Sequence, residues 1–223
     1  MNTDLNPVLV LDLDGTLVDS KPDLVAAVNA AITSVGLSQV SSSVVGETVG
    51  QGARAMITRA HEFQNQTLKE NKLELLMERL LDYYHNHIAD FSKPYSGVQA
   101  ALNKFSNNGW HLAVCTNKPE NLARELLNTL DMNSQFAAIC GSDTFTTRKP
   151  HADHILKTIQ MAGGRVQGSV MVGDTATDIN AAINSGIPAI AVDFGYSAEP
   201  VETLGASRVI SHFDDLWATV NQL

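Results

Sequence analysis

Short apolar runs alternate with segments of helical periodicity along most of this chain. The first run, residues 8–11 (Val-Leu-Val-Leu), contains no polar residue, which is typical of a strand buried on both faces of a parallel sheet. We predict further strands of this kind at residues 110–115, 137–140, 169–172 and 189–192. Helical patterns occur at residues 99–107, 120–130, 152–161, 178–184 and 214–220. This alternation predicts an α/β fold whose parallel sheet is covered on both faces.

The stretch after the first strand has no strand pattern, and its apolar residues recur at the spacing of helices. Ser20 is the predicted N-cap of a first helix, which Gly36 ends. Another helix is predicted at residues 53–63, after the flexible sequence Gly50-Gln51-Gly52, and a long apolar helical stripe lies between residues 71 and 91. We therefore predict a purely helical insertion in the α/β pattern.

This insertion divides the chain into two parts. We predict a helical cap at residues 17–92 and an α/β core formed by residues 1–16 and 93–223. A chain of 223 residues has room for one domain with an insertion of this size.

Polar residues collect where the predicted strands end. Asp12 and Asp14 follow the first strand, and strand alternation points both side chains to one side. Gly15 lets the backbone turn sharply and approach a ligand. The other polar residues near predicted strand ends, or in the loop between them, are Thr16, Thr116, Asn117, Lys149, Asp174 and Asp178. Because ligands bind beyond the carboxyl ends of parallel strands, these groups suit a divalent cation and phosphoryl transfer.

The order of these groups resembles the haloacid dehalogenase superfamily, in its phosphatase branch. The resemblance rests on Asp12-Leu-Asp14-Gly15-Thr16, Thr116-Asn117, Lys149-Pro150, and Gly173-Asp174 with Asp178. Further likeness to the bacterial phosphoglycolate phosphatases lies in residues 12–23, 49–54, 141–151 and 195–196. The resemblance implies a Rossmann-like doubly wound parallel sheet with an inserted helical cap. It also implies Mg²⁺-dependent hydrolysis of a small phosphomonoester, with 2-phosphoglycolate as the expected substrate.

Hydrolysis of a phosphate ester requires a nucleophile, neutralisation of charge and a proton donor. Asp12 is the predicted nucleophile, which would form an aspartyl phosphate, and Asp14 is the predicted general acid and base. Lys149 is expected to hold the transferring group and to keep Asp12 ionised. Thr116 and Asn117 are expected to bind phosphate oxygens, and a helix cap at this position is the compatible alternative.

The resemblance implies three protein ligands for Mg²⁺, namely the Asp12 carboxylate, the Asp14 backbone carbonyl and the Asp174 carboxylate. Oxygen ligands are those that Mg²⁺ prefers. Asp178 is expected to orient water or Lys149, or alternatively to act as a first-turn helix carboxylate. Thr16 is expected to support the turn after Asp14.

The sequence Gly50-Gln51-Gly52-Ala53-Arg54 is the candidate for substrate selection by the cap. No strand precedes it, so it does not match a dinucleotide-binding loop. If it faces the crevice, backbone amides at Gly50 and Gly52 and the Arg54 guanidinium can contact a small carboxylated substrate. A plain turn between two helices is the alternative.

Other functions share parts of this pattern. A phosphomutase of the same fold would use Asp12 and Asp14 in the same way, and a phosphatase for another small sugar or acid phosphate would differ only in the cap. A non-catalytic, receiver-like phosphate-binding module needs neither Asp14 nor a cap of this length, which disfavours that alternative.

Composition narrows the choice of partners and compartment. A net charge of −9 argues against nucleic acid and anionic membranes as partners. No signal-peptide or membrane-spanning pattern is visible, which predicts a cytoplasmic protein, either a monomer or a homodimer. Cys115 and Cys140 end apolar segments and are predicted to be buried thiols without a disulfide.

Overall fold

The computed structural model describes residues 5–223, apart from the side chain of Glu47. Residues 1–4, which the sequence analysis assigned to the core, lie outside the described residues. The eight described strands are β1 (Pro7–Leu11), β2 (Val18–Asp19), β3 (Lys93–Pro94), β4 (His111–Cys115), β5 (Ala138–Cys140), β6 (Arg165–Gly173), β7 (Ala189–Val192) and β8 (Arg208–Ile210). Six of them form one sheet in the order β5-β4-β1-β6-β7-β8, and all of its pairs are parallel. The predicted parallel sheet is confirmed.

Helices cover both faces of this sheet. The helices of the core are α5 (Val98–Asn107), α6 (Glu120–Thr129), α7 (Ala152–Met161), α8 (Ala176–Ser185) and α9 (Leu216–Val220). In β1, Leu9 and Leu11 pack with residues of α5, α6 and α9, whereas Val8 and Val10 pack with residues of α7 and α8. Since successive side chains of a strand point to opposite faces, the apolar run of β1 serves both layers. The doubly wound α/β class predicted from the sequence is therefore confirmed.

The cap helices lie between the two strands of a short antiparallel ribbon, β2 and β3. They are α1 (Lys21–Thr33), α2 (Ser42–Val45), α3 (Ala53–Phe63) and α4 (Glu70–Asn86), with a 3₁₀ segment at Gly46–Gln51. Helix α4 packs along α1, and α3 contacts both. Leu76, Leu80 and Tyr84 recur at helical spacing on the buried face of α4. The chain passes from core to cap and back through the ribbon.

Several local predictions were wrong. Ser20 is the N-cap residue of α1, as predicted, but it makes no side-chain capping hydrogen bond, because its hydroxyl donates to the Asp14 carboxylate instead. Gly50 and Gln51, predicted to be flexible, belong to the 3₁₀ segment. Helix α4 ends at Asn86, and Phe91 is 69% exposed. The reason lies in the Asp23 carboxylate, which accepts the backbone N–H groups of Phe91 and Ser92 and so holds this part of the chain in a turn.

The two cysteines and the hydropathy of the helices agree with the sequence pattern. Cys115 and Cys140 are both free and buried, as predicted, and burial raises the pKa of Cys115 to about 12. Among the helices at residues 5–223, none combines the length and the apolar character that crossing a bilayer requires.

Candidate active site

The carboxyl ends of three adjacent strands bring the predicted polar residues together. Strand β1 pairs with β4 on one side and with β6 on the other, and Leu11 lies opposite both Val114 and Val172. The backbone N–H of Asp12 donates to Val172, which extends the ladder by one residue. The residues that follow each strand are therefore neighbours at one edge of the sheet, although Asp12 is more than a hundred positions from both Thr116 and Asp174 in sequence.

Asp12, Lys149 and Asp178 form a buried chain of charges. Lys149 Nζ lies 2.8 Å from Asp12 Oδ1 and 2.6 Å from Asp178 Oδ1, and its side chain is 1% exposed. Burial alone lowers the pKa of Lys149, but the charges of Asp12 and Asp178 outweigh it and raise the pKa above its ordinary value. Burial likewise raises the pKa of Asp12 to about 6, while Lys149 opposes the shift. Asp12 is thus ionised at neutral pH.

The backbone of Lys149 is held by a histidine. Its N–H donates to His154 Nδ1 over 3.0 Å. Burial and then the charge of Lys149 lower the pKa of His154 to about 4, so the ring is neutral and its Nδ1 accepts. The edge of the ring packs against Phe145. His154 therefore positions the lysine through its main chain.

The Asp174 carboxylate is fully buried. Its Oδ1 accepts from Thr16 Oγ1 at 2.8 Å, and its Oδ2 accepts from the Tyr196 N–H at 2.7 Å. Burial, reinforced by the charges of Asp178 and Asp12, raises its pKa well above the ordinary value. Gly15 (φ 86°) and Gly195 lie so close to Asp174 that a Cβ at either position would collide with its carboxylate. Thr16 therefore contacts a site residue directly, and the turn at Gly15 makes room for Asp174.

Asp178 belongs both to the charge chain and to a helix cap. Its Oδ2 accepts from the N–H and the hydroxyl of Thr175 and from the N–H of Asp174, in a capping box at the start of α8. Its Oδ1 accepts from Lys149. The two roles proposed for Asp178 from the sequence, contact with Lys149 and first-turn carboxylate, thus occur in the same side chain.

Three carboxylates of the site are close enough to share a cation. One oxygen each from Asp12, Asp174 and Asp178 can be chosen such that all three atoms lie within 4.8 Å of one another. One buried lysine cannot balance three carboxylates, and hard oxygen donors are what Mg²⁺ prefers. Since Asp178 already accepts four hydrogen bonds, Asp12 and Asp174 are the better donors. The donor set fits Mg²⁺.

Asp14 has a separate partner that the sequence analysis did not identify. Lys118 Nζ lies 2.9 Å from its Oδ1 and 3.0 Å from its Oδ2, and the Lys118 side chain is 5% exposed. Burial lowers the pKa of Lys118, but Asp14 overcomes this and raises it. The ammonium also lies 4.4 Å from the ring centroid of Tyr84 in the cap. The sequence signal that could have identified Lys118 is its position directly after Thr116 and Asn117, because it follows the same strand, β4.

Thr116 and Asn117 lie at the same strand end but do not cap the following helix. The first N–H of α6, at Glu120, is bound by the Asp143 carboxylate. Asn117 Nδ2 donates to the carbonyl of Lys149, and Thr116 Oγ1 accepts from the Lys118 N–H. The cap alternative is therefore wrong, and both side chains tie the loop after β4 to the lysines of the site.

Asp12 and Asp14 face a cavity between core and cap, which we call the inner cavity. Its walls are formed from the cap by Leu24, Val49, Gly50, Gly52, Ala53, Met56, Leu80, Leu81 and Tyr84, and from the core by Asp12, Asp14, Thr116, Asn117, Lys118, Pro119 and Leu122. Gly50 and Gly52 thus face the carboxylates. Arg54 lies instead on an adjacent, wider groove, where its guanidinium pairs with Glu70 and Glu74 and the side chain is 52% exposed. The structure does not bring Arg54 to Asp12 or Asp14.

One protein-family model matches most of the chain. The family model described as "Haloacid dehalogenase-like hydrolase" matches residues 9–192, which include the strand ends described above. The chain belongs to the haloacid dehalogenase-like hydrolases. The match starts within β1 and ends with β7, so it includes both the core motifs and the whole cap.

Individual relatives of this hydrolase cover nearly its whole length. It is 43% identical over 210 residues to the phosphoglycolate phosphatase of Mesorhizobium japonicum, covering 94% of this chain and 92% of the relative. It is 46% identical over 209 residues to that of Agrobacterium fabrum, covering 94% and 90%. A crystal structure of a predicted phosphoglycolate phosphatase from Haemophilus somnus superimposes with a TM-score of 0.89 at 27% identity, over 98% of this chain and 99% of the other.

Proposed function

We propose that this hydrolase is a Mg²⁺-dependent phosphatase that converts 2-phosphoglycolate to glycolate and phosphate through an aspartyl phosphate. The observation that carries the proposal is the pair of buried carboxylates facing one cavity, each held by its own lysine, Asp12 by Lys149 and Asp14 by Lys118. Two carboxylates with different partners suit two different roles, nucleophile and proton carrier. The names of the relatives support phosphoglycolate as the substrate.

In the first step, a carboxylate oxygen of Asp12 attacks phosphorus and the bond from phosphorus to the ester oxygen breaks. Asp12 is ionised at neutral pH and held by Lys149, which fixes its direction. The carboxylic acid form of Asp14 transfers its proton to the departing glycolate oxygen, which leaves Asp14 as a carboxylate. The phosphoryl group is then bonded to Asp12, with its oxygens near Lys149 and the Thr116 hydroxyl.

In the second step, water attacks the phosphorus of the aspartyl phosphate. Asp14 now accepts a proton from that water, which restores its carboxylic acid form, and the bond between phosphorus and Asp12 breaks, which restores the Asp12 carboxylate. Asp12 and Asp174, with the backbone carbonyl of Asp14, would hold Mg²⁺, and the bound ion would neutralise charge on the phosphoryl oxygens. The apolar cap residues of the inner cavity exclude other water during the first step.

The test is a phosphate-release assay over a panel of phosphomonoesters that includes 2-phosphoglycolate, sugar phosphates and an aryl phosphate. We expect the highest kcat/KM with phosphoglycolate, no release after exhaustive chelation, and recovery with Mg²⁺. Calcium should not replace Mg²⁺, because its larger and looser shell does not favour in-line attack. Full activity without a divalent cation, or a preference for sugar phosphates, would contradict the proposal. Return of the phosphoryl group to a second sugar would indicate a phosphomutase.

A cytoplasmic location and the monomer or homodimer state stay predictions.

A further inference from the structure

The inner cavity is poor in positive charge. Among the described residues that line it, Lys118 is the only one with a cationic side chain. Most of the other lining residues are apolar, and the two acidic residues, Asp12 and Asp14, repel anions. A substrate with a second negative group, besides its phosphate, therefore needs Lys118 if that group enters this cavity, because an unpaired charge in an apolar site is strongly disfavoured.

Tyr84 adds an unused hydrogen-bond donor beside Lys118. It belongs to cap helix α4 and lines the inner cavity, its side chain is almost fully buried, and its hydroxyl donates to no residue in the described part of the protein. Burial raises the pKa of Tyr84 to about 12, so the phenol keeps its proton. A buried hydroxyl without a partner is costly, which indicates that something other than the protein satisfies it.

We propose that Lys118 and Tyr84 bind the carboxylate of the leaving group and thereby select phosphorylated hydroxy acids over neutral phosphomonoesters. This inference rests on the proposed function. It assigns the contact with the substrate carboxylate to the Lys118 amine and the Tyr84 phenol inside the inner cavity. The sequence analysis had assigned that contact to Arg54, which lies on the adjacent, wider groove (the outer groove). One of the two residues belongs to the core and the other to the cap, so the substrate would bridge the two parts of the protein.

The connectivity of phosphoglycolate supports this position. Asp14 must come within hydrogen-bond distance of the ester oxygen to protonate it, and the carboxylate is joined to that oxygen through a single CH₂ group. Lys118 Nζ lies within 3.0 Å of both Asp14 oxygens. A carboxylate so close to the ester oxygen is therefore within reach of Lys118, whose ammonium lies 4.4 Å from the ring centroid of Tyr84.

The experiment compares two substrates that share the CH₂–O–P ester, phosphoglycolate and ethyl phosphate, which lacks the carboxylate. Tyr84→Phe removes only the hydroxyl. We expect its kcat/KM for phosphoglycolate to fall about tenfold and that for ethyl phosphate to change less than about twofold, since a hydrogen bond to a charged group is lost with only one substrate. Lys118→Met should lower both values, because Asp14 loses its partner, and lower phosphoglycolate by at least a further tenfold or so.

Matched controls come from the same chain. Tyr83→Phe changes the neighbouring tyrosine of α4, which stacks on His87, and Lys104→Met removes an exposed ammonium near Trp217. Both should leave the ratio of the two kcat/KM values unchanged. An unchanged ratio in Tyr84→Phe and in Lys118→Met would overturn the inference while phosphoglycolate stays the preferred substrate. Equal use of both substrates by the wild-type protein would instead overturn the proposed function, and this inference with it.

Discussion

The two walls of the inner cavity are built on different principles. On the core side, the carboxylates of Asp12 and Asp14 are buried and each is paired with a buried lysine, Lys149 or Lys118. Lys149 also pairs with Asp178, which does not line the cavity. On the cap side, the wall is mostly aliphatic, with the Tyr84 hydroxyl and the backbone near Gly50 and Gly52 as its polar parts. Removing one member of the charged network leaves a buried charge without its partner, whereas substitution of an aliphatic cap residue costs less free energy of folding. The core wall is thus suited to the reaction that all substrates share, and the cap wall to selection among substrates.

The largest expected effect concerns the core wall. Asp12→Asn keeps the size of the side chain and removes the nucleophile, and we expect kcat to fall at least about 10³-fold, on phosphoglycolate and on an aryl phosphate alike. The measurement is single-substrate kinetics together with a thermal melt that shows an intact fold. A variant that keeps a tenth of the wild-type activity would mean that Asp12 is not the nucleophile.

The next effect concerns stability in the same network. Lys149→Met leaves the carboxylates of Asp12 and Asp178 without their buried cation, and we expect a loss of about 3–5 kcal/mol in the free energy of unfolding. Urea denaturation with and without Mg²⁺ measures it. Added Mg²⁺ should restore part of the loss, because it supplies the missing positive charge. Lys104→Met, an exposed lysine, is the control, and equal losses in the two variants would show that burial of the charge does not matter.

A third effect is the pH dependence of Mg²⁺ binding at the core wall. Burial raises the pKa of Asp12 to about 6, so protons compete with Mg²⁺ for this carboxylate below that pH and not above it. We expect the affinity for Mg²⁺ to fall by at least about tenfold per pH unit below about 6, because burial also raises the pKa of the second carboxylate ligand, Asp174. Titration calorimetry of the metal-free protein measures this directly. An affinity that stays constant down to pH 5 would place the metal away from Asp12.

The smallest effect is expected outside the inner cavity. Arg54 pairs with Glu70 and Glu74 on an exposed surface of the cap, where ion pairs contribute little. Arg54→Ala should change the ratio of kcat/KM between phosphoglycolate and ethyl phosphate by less than about twofold. A tenfold loss confined to phosphoglycolate would restore Arg54 as the carboxylate ligand, and the cap wall would then extend to the outer groove.

Local sequence patterns determined the class of the fold and most of its elements. The apolar run of β1 and the periodicity of α3 and α7 predicted these elements to within a residue at each end. A strand buried on both faces is apolar at every position, and a helix buried on one face has apolar residues at helical spacing, so both patterns are visible in the sequence. Strand β8 was missed, since only Ile210 of its three residues is buried and so short an edge strand carries no such mark. Asp12 and Asp174 were singled out because each directly follows a strand, and Asp14 because it lies two residues after Asp12, which are local properties.

Only the tertiary structure decided how these groups are paired. Lys118 and Asp14 are separated by 104 positions and Lys149 and Asp178 by 29, and no local pattern records that their side chains meet. The same holds for Arg54, whose acidic partners lie on another helix. Charge pairing depends on distances between segments that the chain brings together only when it folds, whereas residue type and strand position are already present in the sequence.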